Sequence, residues 1–238
     1  MAGCATVYNP ATGRNEVVFI STSSEVNIGK SAASQISQKY KLSENQRDLD
    51  RLNRIGNHVA QASDRKDLEY KFYIIEDDKL NAFTIPGGHI YFFKGLYDIL
   101  DEDEIACVIA HEIGHVAARH TVKRLEAALG YQVISTIALA AYASGKEDRQ
   151  KRASYIAYAG ATAFNVASLG YSRKDEFEAD SLAVKYAIAS NFDPRGMIGA
   201  LKKLDENKKK GLPVPYMLRS HPYTQDRIAR IEELVNVH

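Results

Sequence analysis

The strongest constraint on the fold lies in residues 101–117, where the sequence specifies a capped amphipathic helix. Asp101 can accept from the first free backbone N–H groups while Glu104, three residues on, reaches back to it, the two halves of a capping box. Apolar Ile105, Val108, Ile109, Val116 and Ala117 then recur at helical spacing. Into this helix are set His111, Glu112 and His115. Four residues return to within roughly 40° of the starting direction, so the two imidazoles can reach one ion. Glu112 sits beside the first of them, where a carboxylate can act on water as a general base. Gly114 removes a side chain where neighbouring structure can approach.

Two such histidines point to one zinc ion per chain, and a catalytic zinc needs a third protein ligand with one position left open. The acidic run Asp175-Glu176-Phe177-Glu178-Ala179-Asp180 offers it. Glu176 and Asp180 are four apart and share a helix face, whereas Glu178 lies about 200° from Glu176. Glu176 is therefore the expected third ligand, and Asp180 the group that accepts a hydrogen bond from the distal nitrogen of His111. Glu178, Asp175 and Lys174 are assigned to a solvated face.

Around these motifs the chain reads as α+β, mainly α, with an amino-terminal arm over residues 1–40 and a single domain over 41–238. Asn9-Pro10 and Thr12-Gly13-Arg14 read as a turn before a short strand or an extended arm at 17–20, a peripheral piece. Leu49, Leu52, Ile55 and Val59 mark an amphipathic helix over 43–62. Residues 70–76, 82–85 and 90–93 read as strands, the last two joined at Pro86-Gly87-Gly88, so a small sheet precedes the key helix. Two uncharged stretches, 127–144 and 153–171, flank a polar run at 145–152. Rich in Ala, Gly, Ser and Tyr, they predict a soluble helical hairpin better than membrane spans. Helices follow at 174–189, 194–210 and 224–235. His89 and His120 read as structural, His58 and His238 as surface residues.

Thirty-one Lys plus Arg against 30 Asp plus Glu leave no basic excess for nucleic acid. Asn27-Ile28-Gly29-Lys30-Ser31 ends like a phosphate loop, but Ser24 stands where that motif needs glycine. Cys107 reads as a small buried hydrophobe. Ala2-Gly3-Cys4 matches what precedes the lipidated cysteine of a bacterial lipoprotein.

Taken together, His111-Glu-Ile-Gly-His115, Ser172-Arg173, Glu176-Phe-Glu-Ala-Asp180, Ser220-His221-Pro222 and Arg227-Ile228 resemble the CAAX prenyl protease and HtpX family of zinc metallopeptidases. Asn81-Ala82-Phe83, Pro86-Gly87-Gly88, Gly95-Leu96 and Asn9-Pro10 with Thr12-Gly13 extend the likeness over most of the chain. The resemblance implies a zincin-like fold, a small sheet beside the active-site helix, and a helical hairpin between the two ligand helices. It implies that Glu176 ligates the metal, that His221 lies near it on a loop and that Arg227 supports the site. Two roles for His221 stay open: hydrogen-bonding the oxyanion, for which Tyr223 is a weaker candidate, or closing the fourth zinc position. The uncharged hairpin departs from integral-membrane members and is closer to soluble periplasmic relatives.

The expected activity is that of a zinc metalloendopeptidase. An extended peptide would lie along a strand edge supplied by Asn81, Ala82 and Phe83 with Gly88, His89 and Ile90, an arrangement suited to unfolded or misfolded proteins. The other reading is a zinc-stabilised holdase or assembly factor for exported proteins. A periplasmic location is expected, with membrane proximity through a lipidated Cys4 or the 127–171 hairpin.

Overall fold

The structure is a computed structural model that describes residues 5–140, 146–167, 169–209 and 216–236. Cys4 and His238 lie outside these residues, as do the start of the polar run at 145–152 and the last residue of the helix expected at 194–210.

Strands β1 (Ala5–Asn9) and β2 (Arg14–Val18) pair antiparallel as an amino-terminal hairpin. The hairpin is not peripheral: Asn9 Nδ2 donates to Ala117 O at 3.1 Å and to Glu16 Oε2 at 3.2 Å, which docks its turn on the key helix. Helices α1 (Thr22–Lys39) and α2 (Gln46–Ala60) follow, then β3 (Lys71–Ile75), β4 (Ala82–Ile85) and β5 (His89–Phe93). The strand order is β3-β5-β4, with β5 parallel to β3 and antiparallel to β4. The turn from β4 to β5 places both Gly87 and Gly88 at φ +83°, a region costly for any residue with a Cβ.

Alternation along the strands divides the interior in two. Phe72, Ile74, Ala82, Ile90 and Phe92 face α2 and α4 (Glu102–Ala117), which α7 (Arg173–Ala189), α8 (Gly196–Lys209) and α10 (Thr224–Asn236) cover from beyond. Ile75, Phe83, Ile85, Tyr91 and Phe93 pack instead with α1, α5 (His120–Ala140) and α6 (Lys146–Ala167). Each fully buried Ile or Phe in these layers contributes roughly 1.5–3 kcal/mol. Two short helices, α3 (Lys94–Ile99) and α9 (Tyr216–Ser220), complete the chain.

The mainly helical α+β architecture and the hairpin of α5 and α6 are present. Helix α5 bends at Gly130 and packs on α6, which in turn packs on α1 and β4. Among the described residues no helix is long and apolar enough to cross a membrane.

Candidate metal centre

Helix α4 opens with the Asp101–Glu104 capping box and is buried at every residue from Glu104 to Ala117. It therefore carries His111, Glu112 and His115 through the middle of the molecule, all 0% exposed. Helix α7 crosses it at Gly114, where an added Cβ would lie 2.9 Å from Ala179 O and 3.2 Å from Ala179 Cα. That approach brings Glu176, just under one turn before Ala179, to the two imidazoles. Its own start is a second capping box, with Ser172 accepting from Asp175 N. His221 follows α9, its N–H donating to Met217 O at 2.7 Å while Tyr171 N donates to Ser220 O at 3.0 Å. Arg227 enters from α10.

One ligand atom each from His111, His115, Glu176 and His221 lies within 4.8 Å of all the others. His111 Nε2 is 3.1 Å from His115 Nε2 and 3.2 Å from His221 Nδ1, and His221 Nδ1 is 3.0 Å from Glu176 Oε1. His115 Nε2 stands 3.5 Å from Glu176 Oε1. Asp180 Oδ1 lies 2.9 Å from His111 Nδ1, so that nitrogen carries a hydrogen and Nε2 is the atom turned toward His115 and His221. Arg227 clasps Asp180 through Nε at 2.8 Å and Nη2 at 2.7 Å, and its Nη1 reaches Glu176 Oε2 at 2.9 Å.

Burial dominates the protonation of this cluster. It holds the His115 imidazole well below its usual range and raises the Glu112 carboxyl. Burial also works against Glu176 and Asp180 as anions, but His221 and Arg227 outweigh it for Glu176, which is held well below the carboxylate range. For Asp180 the Arg227 charge prevails and the carboxyl is lowered. His221 is raised, its desolvation overcome by the negative charge of Glu176 and Glu112.

These residues fit a divalent metal on two counts. The Nε2 atoms of His111 and His115 face each other at 3.1 Å, close enough for one ion to take both, and neither Glu112 oxygen has a hydrogen-bond partner despite full burial. The site also gathers carboxyl groups: Glu112, Glu176 and Asp180 are all fully buried, and Arg227 lies against the last two.

His120, read as structural, is 2% exposed and places Nδ1 2.9 Å from His115 Nδ1. Two other readings of the sequence are corrected. Glu178 and Asp175 do not form a solvated face, since both approach His120 Nε2, at 3.1 and 3.5 Å. Glu178 does point away from Glu176, but toward the hairpin, where Arg14 Nη2 meets it at 2.6 and 3.0 Å. His89 and Ile90 lie in the central strand β5, whose two edges are taken by β3 and β4, so the outer edges of the sheet belong to β3, bridged at Ile75 by Leu42, and to β4. There Ala82 and Phe83 are buried near α6; Asn81, at its start, accepts from Phe93 N, and Gly88 sits in the turn.

Tyr223 remains 38% exposed beneath the Arg173 guanidinium. The aromatic ring that does meet the cluster is Tyr171, stacked on His115 at 3.8 Å with Arg124 over its ring. It ends an uncharged stretch and carried no sequence signal.

The sequence model of Peptidase family M48 matches residues 46–235. The chain is 27% identical over 191 residues to a beta-barrel assembly-enhancing protease of Yersinia pestis, covering 78% of this chain and 38% of that protein. To the Metalloprotease LoiP of Escherichia coli it is 28% identical over 186 residues, 77% of this chain and 69% of the relative. To the mitochondrial metalloendopeptidase OMA1 of Schizosaccharomyces pombe it is 27% identical over 187 residues, 76% of this chain and 51% of the relative. The chain thus spans well under half the length of the first of these relatives.

Proposed function

The chain belongs to peptidase family M48, and from that premise we propose that it is a zinc-dependent metalloendopeptidase acting on extended, unfolded or misfolded proteins, with His221 gating the metal. The observation that carries the reading is the convergence of His111, His115, Glu176 and His221 in a fully buried site, one ligand atom of each within 4.8 Å of all the others. His111, His115 and Glu176 would hold one zinc ion. When bound, zinc polarises a peptide carbonyl and makes water acidic enough to ionise near neutral pH. Glu112 takes the proton from the attacking water and returns it to the leaving amine, a task favoured by the upward push that burial gives its carboxyl. Asp180 holds the His111 ring, and Arg227 keeps Asp180 and Glu176 from drifting apart. An extended substrate would pair with the β4 edge, from Ala82 and Phe83, through main-chain hydrogen bonds indifferent to sequence. The catalytic domain is taken as residues 41–238, with 1–40 as an arm whose helix α1 packs on α6.

His221 sits among the ligand atoms, and we read it as a fourth ligand that keeps the site latent. Displaced, its ring would hydrogen-bond the developing oxyanion. The same contact favours a second reading, since four protein ligands are the pattern of a structural zinc. In that case the chain is a holdase or assembly factor for exported proteins. By likeness to a relative named for β-barrel assembly, the periplasm is the proposed location, with Cys4 as a lipid attachment point.

Zinc content and casein digestion, measured on wild type, His221→Ala and Glu112→Gln, test these readings. Cleavage by wild type or His221→Ala supports the protease, and zinc binding without cleavage by either supports the holdase. Glu112→Gln should keep its zinc and lose at least 10²-fold in rate, the usual worth of a general base. Full activity in that variant removes Glu112 from the mechanism.

A further inference from the structure

A carboxylate accepts hydrogen bonds and never donates them, and this fixes the donor where Glu178 meets His120. Glu178 Oε2 lies 3.1 Å from His120 Nε2, so that nitrogen carries the hydrogen. Asp175 Oδ1, at 3.5 Å, is a second acceptor facing the same atom. When the His120 ring is neutral, its one hydrogen is the one on Nε2 and its Nδ1 is bare. His115 Nδ1, 2.9 Å away, must then be the donor. Its Nε2 is bare in consequence, and that is the atom turned toward His111 and Glu176.

We propose that His120 is a positioning residue of the metal centre: anchored on Glu178, it holds the His115 ring in the tautomer and orientation that present Nε2 to the metal. The inference rests on the zinc reading above. It gives the two ligand histidines equivalent support from one helix. Asp180 reaches His111 directly. Glu178, on the far side of α7 from Glu176, cannot do the same for His115, and His120 spans the gap.

The backbone is bent to make this possible. Helix α4 ends at Ala117, and Arg119 takes φ +58°, a left-handed conformation unfavourable for a residue with a Cβ. The turn folds His120 back beside His115. It is held by Arg119 Nη2 donating to Ile20 O at 2.7 Å, and Glu178 is steadied by Arg14 of the hairpin. The amino-terminal hairpin thereby reaches the metal centre through four side chains in series: Arg14, Glu178, His120 and His115.

The test is zinc affinity of the full chain, by competition with a chromogenic chelator, with melting of the metal-free protein as the folding control. His120→Ala should weaken zinc binding 10- to 100-fold, the usual effect of removing a ligand's hydrogen-bond partner. His120→Asn should recover most of that loss, because its Oδ1 stands close to where Nδ1 did and can still accept from His115. Glu178→Ala should cost several-fold in the wild-type background and nothing further in His120→Ala, since its effect passes through His120. Wild-type affinity in a folded His120→Ala or in Glu178→Ala, or an undiminished Glu178→Ala effect in the double variant, overturns the proposal. A wild-type chain that takes up no zinc overturns the metal reading itself, and this inference with it.

Discussion

At position 114 the distance between two helices depends on a missing methyl group. A Cβ there would meet Ala179 O at 2.9 Å, and a backbone oxygen cannot rotate away as a side chain would. Gly114→Ala should gain about 1 kcal/mol of helix propensity. Overpacking costs typically about 1–3 kcal/mol, so a net destabilisation on the order of 1 kcal/mol is expected. Zinc affinity should fall with it, because separating α4 from α7 draws Glu176 away from both imidazoles. Melting curves and chelator competition on this variant check the claim, and unchanged values in both would show that the close approach is dispensable. The residues of the cluster differ in how legible they were for the same geometric reason. His111, Glu112 and His115 follow from local periodicity, and Glu176 with Asp180 from the same rule applied to a second helix. His120 and Tyr171 do not, because one depends on a left-handed turn at Arg119 and the other on stacking across the fold.

Among the elements, α4 is specified most completely, and its cap is the part most easily tested. Asp101 Oδ1 accepts from Glu104 N at 2.9 Å while Glu104 Oε2 accepts from Asp101 N at 2.8 Å. Asp101→Ala should cost about 1 kcal/mol by loss of the cap. The effect should appear in urea unfolding with little change in zinc affinity, since the ligands lie two turns or more into the helix; a loss of zinc without a loss of stability would contradict it. Helix α1 lies at the other extreme of legibility. Its buried face is Ser24, Glu25, Ile28, Gly29, Ala32 and Ile36, mostly small or polar, so no apolar stripe announced it. Packing explains the choice: a Cβ on Gly29 would stand 2.1 Å from Pro86 O. The strands were visible from alternation and the glycine turn, but their order was not. Placing β3 beside β5 is a long-range parallel pairing with no local signature, and it is what removes His89 and Ile90 from the substrate edge.

For the molecule as a whole, stability should depend on pH through a residue far in sequence from the metal ligands. His89 is buried in the central strand, its Nδ1 3.2 Å from Tyr73 Oη and its ring stacked on Tyr73 at 5.9 Å. Burial, aided by the Lys71 charge, lowers its pKa from 6.5 to about 4. Above pH 6.5 neither the folded nor the unfolded chain protonates it, and it contributes nothing to the pH dependence. Below 6.5 the unfolded chain binds a proton that the folded chain refuses, so stability falls as the pH drops toward 4 and levels off beneath it. By pH 5 the loss amounts to about 2 kcal/mol, one pKa unit being worth about 1.4 kcal/mol. His89→Phe keeps an aromatic ring beside Tyr73 and removes the titration. Urea unfolding of the metal-free protein at pH 7.5 and 5 should therefore show wild type losing about 2 kcal/mol more than the variant over that interval. The buried carboxylates and histidines of the metal centre titrate in both proteins and cancel in the comparison. Equal losses in the two would mean that the folded chain admits the proton at His89, and that the sheet opens there to water.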